Sequence, residues 1–285
     1  MSGKTVWSVY FSGTGTTERT VKLVAQTAAE LLNRRQRTLC FNLPEAREKE
    51  VSFEAGDLAV VGVPVYAGRV PNLLLPYLKE KLKGYGAAAV PVVLYGNRNF
   101  DDALSELCGV LEENGFHTIA AGAFVGEHAF SDVLGAGRPD GEDLALAEEL
   151  GRRASQIVAE AAEKGASDSG PDSGLPSPVR VPGNFPPGPY YTPRDRHGAP
   201  INILKVKPKL DPERCGNCGL CASLCPLGAI DSADVSKITG VCMKCGACVK
   251  KCPAGARYFD DPGYLYHKKE LEEMYARRAE SRIFY

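Results

Sequence analysis

The sequence lacks an excess of charge of either sign, and it lacks any long apolar run. Its 285 residues include 34 Lys and Arg against 35 Asp and Glu, which leaves a formal net charge of -1 at pH 7. That balance gives no whole-chain case for binding nucleic acid, so no nucleic-acid partner is expected. Because no apolar run reaches the roughly 18 residues that a membrane span needs, no membrane span is expected either.

No export signal is expected in the N-terminal segment. Its brief apolar stretch, TVWSVYF at residues 5–11, is typical of a first β-strand rather than of a signal peptide. We therefore expect a cytoplasmic protein, whose ten cysteines are thiols or metal ligands rather than disulfides. Two of the ten, Cys40 and Cys108, lie in apolar stretches, which predicts small buried side chains without a chemical role.

Apolar, β-rich segments alternate with helical patterns along residues 1–165. Strands are predicted at residues 5–11, 38–43, 57–66, 87–96 and 118–126. Helices are predicted at residues 17–34, 71–83, 101–115 and 141–164. This alternation predicts an α/β domain with a doubly wound parallel sheet of five strands, and its third strand is apolar enough to be buried on both faces.

The composition changes at residue 166. Residues 166–200 contain nine prolines and five glycines, which predicts a semi-extended linker over 166–202 rather than a packed element. Its aromatic residues Phe185, Tyr190 and Tyr191 could still dock on a neighbouring domain. A small α+β unit rich in cysteine is predicted at 203–262, followed by a charged helical tail at 263–285.

One internal repeat lies in the cysteine-rich unit. CGNCGLCASLCPLGAI (215–230) and CMKCGACVKKCPAGAR (242–257) align cysteine for cysteine, each with the spacing C-x2-C-x2-C-x3-C-P. Thiolates suit iron–sulfur clusters, and in this spacing the fourth cysteine reaches the partner cluster. We therefore predict two [4Fe–4S] clusters. Cys215, Cys218, Cys221 and Cys252 are the predicted ligands of one, and Cys242, Cys245, Cys248 and Cys225 are those of the other.

Two alternatives to redox-active clusters stay open. A zinc module with tandem C-x2-C pairs would use the same residue type, although zinc gives no reason for the duplicated spacing. The clusters could also be purely structural. The repeat resembles the bacterial two-cluster ferredoxin family over about 55 residues, and that resemblance implies a low-potential carrier of single electrons.

A loop of glycines and hydroxyls, FSGTGTTE at residues 11–18, follows the first predicted strand. Glu18 stands where the dinucleotide fingerprint needs its third glycine, and no G-x4-G-K-[ST] motif is present. A loop at a helix N-terminus binds phosphate through free amides, and neutral hydroxyls suit the phosphate of flavin mononucleotide. The predicted FMN-binding residues of this loop are Ser12, Gly13, Thr14, Gly15, Thr16 and Thr17.

Two further loops would meet this one at the edge of the sheet. In a five-stranded sheet of order 2-1-3-4-5 the topological switch point lies between strands one and three. The predicted flavin-binding residues after strand three are Pro64, Val65, Tyr66, Ala67 and Gly68. Those after strand four are Tyr95, Gly96, Asn97, Arg98, Phe100 and Asp101. The segment GEHAFSD (126–132) is expected to be a solvated loop, with Glu127, His128 or Asp132 as alternatives for handling protons.

Residues 4–162 resemble the flavodoxin family. The segment FSGTGTTE of this chain is similar to the phosphate loop of that family, except that Thr16 stands where asparagine is commoner. The whole order of domains resembles the flavodoxin–ferredoxin fusion proteins of anaerobic bacteria and archaea. This resemblance implies FMN plus two [4Fe–4S] clusters and electron transfer to a redox partner protein that it does not name. A homodimer is left open.

The expected function is electron transfer between the flavin, the clusters and an external partner. One alternative is a flavin-dependent oxidoreductase that reduces a quinone, a nitro compound or oxygen in a pocket walled by Tyr66, Arg69 and Phe100. Another is a redox sensor. Residues 1–162 carry 16 Lys and Arg against 21 Asp and Glu, whereas residues 205–260 carry 9 against 5. Opposite charge could steer one domain onto the other, although both could also be ordinary solvated surfaces.

Overall fold

The computed structural model describes residues 4–167 and 174–285. The strands are β1 (Thr5–Tyr10), β2 (Arg35–Cys40), β3 (Val51–Ser52), β4 (Leu58–Pro64), β5 (Leu82–Lys83), β6 (Ala88–Tyr95), β7 (His117–Thr118), β8 (Ala121–Val125), β9 (Lys209–Leu210), β10 (Arg257–Tyr258) and β11 (Arg282–Phe284). The helices are α1 (Thr16–Leu31), α2 (Leu75–Lys81), α3 (Ala103–Glu113), α4 (Gly141–Ser167), α5 (Leu220–Ser223), α6 (Ala247–Lys250) and α7 (Pro262–Met274), with one 3-10 turn at Pro44–Arg47.

The main sheet has the strand order β2-β1-β4-β6-β8, with all of these neighbours parallel. Counted along the predicted strands this is the order 2-1-3-4-5, so the doubly wound, flavodoxin-like prediction is confirmed. The third predicted strand, β4, is buried at six of its seven positions, as a strand covered on both faces should be. One apolar core packs α2 and α3 against one face of the sheet, and a second packs α1 and α4 against the other.

The helical tail predicted at residues 263–285 is correct only in its first half. Helix α7 ends at Met274, and β11 then pairs antiparallel with β8 at the edge of the main sheet. The charged segment after Met274 has helical composition, but β8 would otherwise present unpaired backbone groups at the sheet edge. Pairing with that edge therefore outweighs the local helical propensity.

The prediction that Cys40 is buried is also wrong, whereas Cys108 is buried as expected. Cys40 lies at the end of β2, which is the outer strand of the sheet and alternates between exposed and half-buried residues. An outer strand has only one face against the core, so an apolar stretch on it can leave a thiol in solvent.

The segment predicted as a linker is extended but packed in its described part, residues 174–202. Val179 and Val181 pack against the core formed by α2 and α3. Tyr190 donates a hydrogen bond of 2.8 Å from its hydroxyl to the Val70 carbonyl, and Arg69 stacks on its ring at 4.4 Å. Residues 168–173 of the predicted linker lie outside the described residues, and the predicted domain boundaries stay predictions.

The cysteine-rich unit folds as two copies of one small motif. Gly219 and Gly246 precede the one-turn helices α5 and α6 with φ angles of 74° and 76°. The pairs Asn217 and Lys244, and Gly228 and Gly255, also share positive φ angles at matching places of the repeat. A single antiparallel ladder, β9 with β10, closes the unit. The sequence repeat is therefore also a repeat of backbone conformation.

Candidate functional site

A cleft of about 770 Å³ lies where the carboxyl ends of β1, β4 and β6 meet the cysteine-rich unit. We call it the interdomain cleft. It lies at the switch point of the sheet, where ligands of open α/β folds bind. The predicted flavin residues that line it are Gly13, Thr14, Thr16, Thr17, Pro64, Val65, Tyr66, Ala67, Gly68, Tyr95, Gly96 and Arg98. Its opposite wall includes Cys242 and Cys245.

The loop after β1 leaves backbone donors at the N-terminus of α1. Gly15 caps the helix with a φ of 110°, and no side chain caps the first-turn amides. Ser12 does not line the cleft. Its side chain is buried and accepts a hydrogen bond of 3.1 Å from the Gly15 amide, which holds the loop in shape. The amides of α1 and the hydroxyls of Thr14, Thr16 and Thr17 remain as donors of the kind that hold a phosphate.

The loop after β4 makes a tight turn at the mouth of the cleft. Tyr66 and Arg69 exchange backbone hydrogen bonds of 2.9 and 3.1 Å, with Ala67 and Gly68 at positive φ between them. Burial raises the pKa of the Tyr66 hydroxyl well above its usual range, and Cys245 and Cys242 add to the rise. The Tyr66 ring therefore stays neutral and offers a flat apolar wall.

The loop after β6 is divided between the cleft and the C-terminal segment. Asn97 does not line the cleft, because its amide donates to the carbonyls of Tyr275 and Arg277, at 2.7 and 2.6 Å. Phe100 is buried against the ring of Tyr95, at 5.6 Å between centroids.

Two charged side chains near the cleft are held by partners of their own. Asp101 pairs with Arg98, which does line the cleft. The expectation that Arg69 and Phe100 wall an acceptor pocket is not met. Arg69 pairs instead with the buried carboxylate of Glu106 and donates to the Gly188 carbonyl at 2.7 Å.

The four cysteines predicted for the second cluster lie around one cavity. Cys225, Cys242, Cys245 and Cys248 line it together, among apolar residues such as Ile230 and Phe259. We call these four the inner cysteine set. Burial raises the pKa of Cys245 to about 11 and that of Cys248 to about 12, and in both cases the other cysteines of the set add to the rise. The fourth cysteine of the first repeat thus lines the same cavity as the three of the second.

The remaining four, Cys215, Cys218, Cys221 and Cys252, form the outer cysteine set. Cys218 is exposed, whereas Cys245 at the same position of the second repeat is buried. Backbone amides donate to matching sulfurs in the two repeats: Asn217 to Cys215 and Lys244 to Cys242, both at 3.4 Å, and Ala229 to Cys225 and Ala256 to Cys252, at 3.2 and 3.3 Å. Amide donors of this kind stabilise anionic sulfur.

The free cysteines of both sets agree with a thiolate donor set. All ten cysteines of the chain are free, including the eight of the repeat. Among residues 4–167 and 174–285, no three His, Cys, Asp or Glu side chains lie close enough together to hold a single metal ion.

Residues 207–263 match the family described as the 4Fe-4S dicluster domain. The match covers both repeats, and we call this part of the chain the dicluster domain. No curated protein matches the chain. In the part of the chain that the structure describes, no helix combines the length and the apolar character that crossing a bilayer requires.

Solved structures similar to the N-terminal part include two flavodoxins. One, from the domain Archaea, is 17% identical, with 55% of this chain and 99% of that chain covered at a TM-score of 0.40. Another, from Streptococcus pneumonia TIGR4, is 17% identical, with 53% and 98% covered at 0.39. A rubredoxin:oxygen oxidoreductase from the anaerobe Desulfovibrio gigas is 13% identical, with 54% and 36% covered at 0.36. At such scores the flavodoxin-like assignment depends on the strand order.

The dicluster domain is joined to the loop at residues 126–132 by one lysine. Lys250, only 14% exposed, lies 2.6 Å from Glu127 and 2.8 Å from Asp132, and also donates to the Ser131 carbonyl at 2.5 Å. Lys250 lowers the pKa of Asp132 by donating a hydrogen bond to it. The expectation that residues 126–132 form a solvated loop is wrong, because only Asp132 of this loop is exposed. Lys250 of the dicluster domain and Tyr264 and Glu272 of α7 contact the rest of it.

The sequence patterns do not predict Phe130 and His267 as part of the cleft. Phe130 lines it from the covered loop beside His128, which the sequence offers as one alternative for handling protons, and His267 lines it from α7, where its ring stacks on Tyr191. The pKa of His128 is lowered to about 4. Burial is the main cause, and the charge of His267 is the next largest. No spacing in the sequence links residue 267 to residue 128; only packing brings the two histidines together.

Proposed function

We propose that this chain is an electron-transferring iron–sulfur flavoprotein, with FMN in the interdomain cleft and one [4Fe–4S] cluster on each cysteine set. The observation that carries the proposal is the shared cleft. Thr14, Thr16 and Thr17 line one side of it, and Cys242 and Cys245 of the inner set line the other. A flavin in this cleft and a cluster on those cysteines would be neighbours within one chain.

The residues around the cleft suit FMN. The phosphate would bind at the N-terminus of α1, where the uncapped amides and threonine hydroxyls are neutral donors. Tyr66 and Gly68 would face the ring from a tight turn that brings backbone close to the ligand. A volume of about 770 Å³ is of the size that holds a cofactor.

The cysteine sets suit two cubane clusters rather than one. Each set combines three cysteines of one repeat with the fourth of the other, and each has backbone amides directed at its sulfurs. The iron ions would offset the cost of placing thiolates in the apolar inner cavity, where burial otherwise favours the neutral thiols.

The burial of the two cysteine sets suggests the order in which the redox centres lie between the surface and the flavin. Cys218 of the outer set is exposed, and Cys245 of the inner set is buried beside the cleft. We infer the sequence external partner, outer cluster, inner cluster, flavin, which can run either way. Clusters pass single electrons and FMN takes two, so two transfers through the clusters balance one full reduction of the flavin, with its protons. The partner protein stays unidentified, and the homodimer and the cytoplasmic location stay predictions.

A second candidate is a flavin-dependent oxidoreductase that reduces a small acceptor such as a quinone, a nitro compound or oxygen. The cleft favours this because it extends beyond the predicted flavin loops to His128, His267 and residues 201–204. These residues would flank an acceptor beside the ring. Electrons from a reduced partner protein, passed through the clusters, would supply the two that such an acceptor takes up.

Anaerobic reconstitution of the full chain tests the proposal. We expect one FMN and eight iron ions per chain. After rapid reduction of the clusters, the flavin should be reduced at a rate that is independent of protein concentration, because both sites share one cleft. A chain that binds neither flavin nor iron, or a rate that rises in proportion to protein concentration, would contradict it. Turnover with a quinone or nitro compound, at a rate matching flavin oxidation, would favour the second candidate.

A further inference from the structure

Arg257 is a buried cation in the middle of the dicluster domain. It lies on β10, five residues after Cys252, and its side chain belongs to a residue only 3% exposed. Its Nη2 atom donates to the Val235 carbonyl and lies 3.6 Å from the Sγ atom of Cys221. Its other two guanidinium nitrogens, Nε and Nη1, are buried and have no hydrogen-bond partner among the described residues.

A guanidinium is always charged, and burying it with unpaired donors is unfavourable unless an anion lies nearby. Among residues 4–167 and 174–285, the side chain that can be anionic and that lies within hydrogen-bonding distance of Arg257 is that of Cys221. An iron–sulfur cluster ligated by four thiolates is anionic, and its inorganic sulfides accept hydrogen bonds. The unpaired nitrogens of Arg257 therefore indicate a negative group at the outer cysteine set.

The matching position of the first repeat is not charged. Arg257 ends CPAGAR, and the residue that ends CPLGAI is Ile230. Ile230 is 6% exposed and lines the cavity of the inner cysteine set. Burial raises the pKa of Cys248 in that set to about 12; Arg257 is among the charges that oppose the rise, so it lies within electrostatic range of both sets. Its hydrogen bond, however, goes to the outer set.

We propose, on the basis of the two clusters of the proposed function, that Arg257 compensates the charge of the outer cluster and raises its reduction potential above that of the inner cluster. Reduction adds one electron to an already anionic cluster, so a cation bonded to a ligand sulfur stabilises the reduced form. Ile230 offers no such stabilisation at the inner set. An electron moving from the inner to the outer cluster oxidises the first and reduces the second, with no proton or bond exchanged.

The consequence is an ordered occupancy. The first electron that enters the pair resides on the outer cluster, on the side where Cys218 is exposed to an external protein. An electron on the inner cluster therefore runs downhill to the outer cluster, toward the surface.

The test is a redox titration of the reconstituted full chain, followed by the paramagnetic resonance of the reduced clusters. Arg257→Met removes the charge at similar length, Arg257→Lys retains it, and Arg214→Met removes an exposed charge beside Cys215 as a control. We expect Arg257→Met to lower the midpoint of the outer cluster, with at least a tenfold change in the intercluster equilibrium, or about 59 mV for a one-electron couple. Arg257→Lys should keep most of the difference, and Arg214→Met should change the equilibrium less than threefold.

Iron content, measured first, separates the ways in which the inference can fail. A wild-type chain without two clusters defeats the proposed function and this inference with it. Two clusters and unchanged midpoints in Arg257→Met overturn the inference alone. If Arg257→Met loses the outer cluster, retention of that cluster and of its midpoint in Arg257→Lys supports charge compensation. Equal loss of the cluster in both variants overturns it, because Arg257 would then act through packing alone.

Discussion

Gly13 lies directly against Cys245. A Cβ atom placed on Gly13 would be 2.9 Å from the carbonyl oxygen of Cys245 and 3.1 Å from its Cβ. The loop predicted to hold a phosphate and the loop predicted to hold a cluster thus touch through their backbones. Glycine at position 13 allows the two domains to approach this closely.

Replacing Gly13 with alanine should separate the two loops. The added methyl group overlaps backbone atoms, and we expect a cost of about 1–3 kcal/mol to the contact between the domains. Hydrogen exchange at residues 242–245 should become faster, and flavin reduction by the clusters slower. Gly141→Ala is the matched control, because a Cβ there meets nothing within 4 Å. Equal behaviour of the two variants would show that the loops do not touch.

The Lys250 contact should hold the dicluster domain against residues 126–132. Lys250→Met removes charged hydrogen bonds to Glu127 and to the Ser131 carbonyl, so we expect a loss of about 1–2 kcal/mol at this interface. Amide exchange at residues 127–134 measures the loss. Lys237→Met removes the same charge from an exposed pair with Asp234 and should leave amide exchange at residues 127–134 unchanged. A similar effect of both substitutions would rule out a specific role for Lys250.

Asn97 should fix the C-terminal segment to the sheet. Its side chain bonds to Tyr275, Arg277 and Ala279, and its φ angle is 66°. Asn97→Gly keeps that backbone conformation but leaves buried backbone groups unpaired, at an expected cost of about 1–3 kcal/mol. Asn97→Ala should cost about 1 kcal/mol more because of backbone strain. Faster amide exchange across β11 checks the prediction; unchanged protection in both variants would refute it.

Stability should fall as pH falls from about 6.5 to about 4 because of His128. In the folded chain the pKa of this residue is lowered to about 4. Burial is the main cause, and the positive charges of His267, Lys250 and Arg98 also lower it. The unfolded chain therefore binds the proton first, and the contribution of neutral His128 is lost across that window, on the order of 2–3 kcal/mol. The free energy of unfolding, measured against pH, should depend less on pH in His128→Gln. His197→Gln alters an exposed histidine and should retain the wild-type slope; identical slopes in all three proteins would contradict the prediction.

Local patterns were enough to predict the sheet and the repeated unit of the cysteine-rich segment. The burial of a strand such as β4 can be predicted from its own residues, since a strand covered on both faces must be apolar throughout. The spacing of the cysteines in the repeat can likewise be read directly from the sequence. Gly219 and Gly246 occupy corresponding positions of the two repeats, so their matching positive φ angles could be expected. Thr14 and Tyr66 could be placed at one sheet edge because parallel strands end together.

Contacts between distant segments could not be predicted in the same way. Arg282–Phe284 became a strand because β8 offered a free edge, and nothing in the residues near 282 encodes that edge. The sequence places Asn97 in a predicted flavin loop, but its side-chain amide donates to the returning C-terminal segment.

The sequence by itself determined two classes of site: a hydroxyl-rich turn suited to a phosphate and a duplicated thiol motif suited to paired clusters. Both depend on residue type and short spacing, which are local properties. Only the tertiary structure decided that Thr16 and Cys245 line one cleft and that Lys250 lies on Glu127. It also decided that Arg257 is buried at the outer cysteine set. These relationships arise from packing between segments far apart in the chain, and that packing depends on the shape and charge of both surfaces at once.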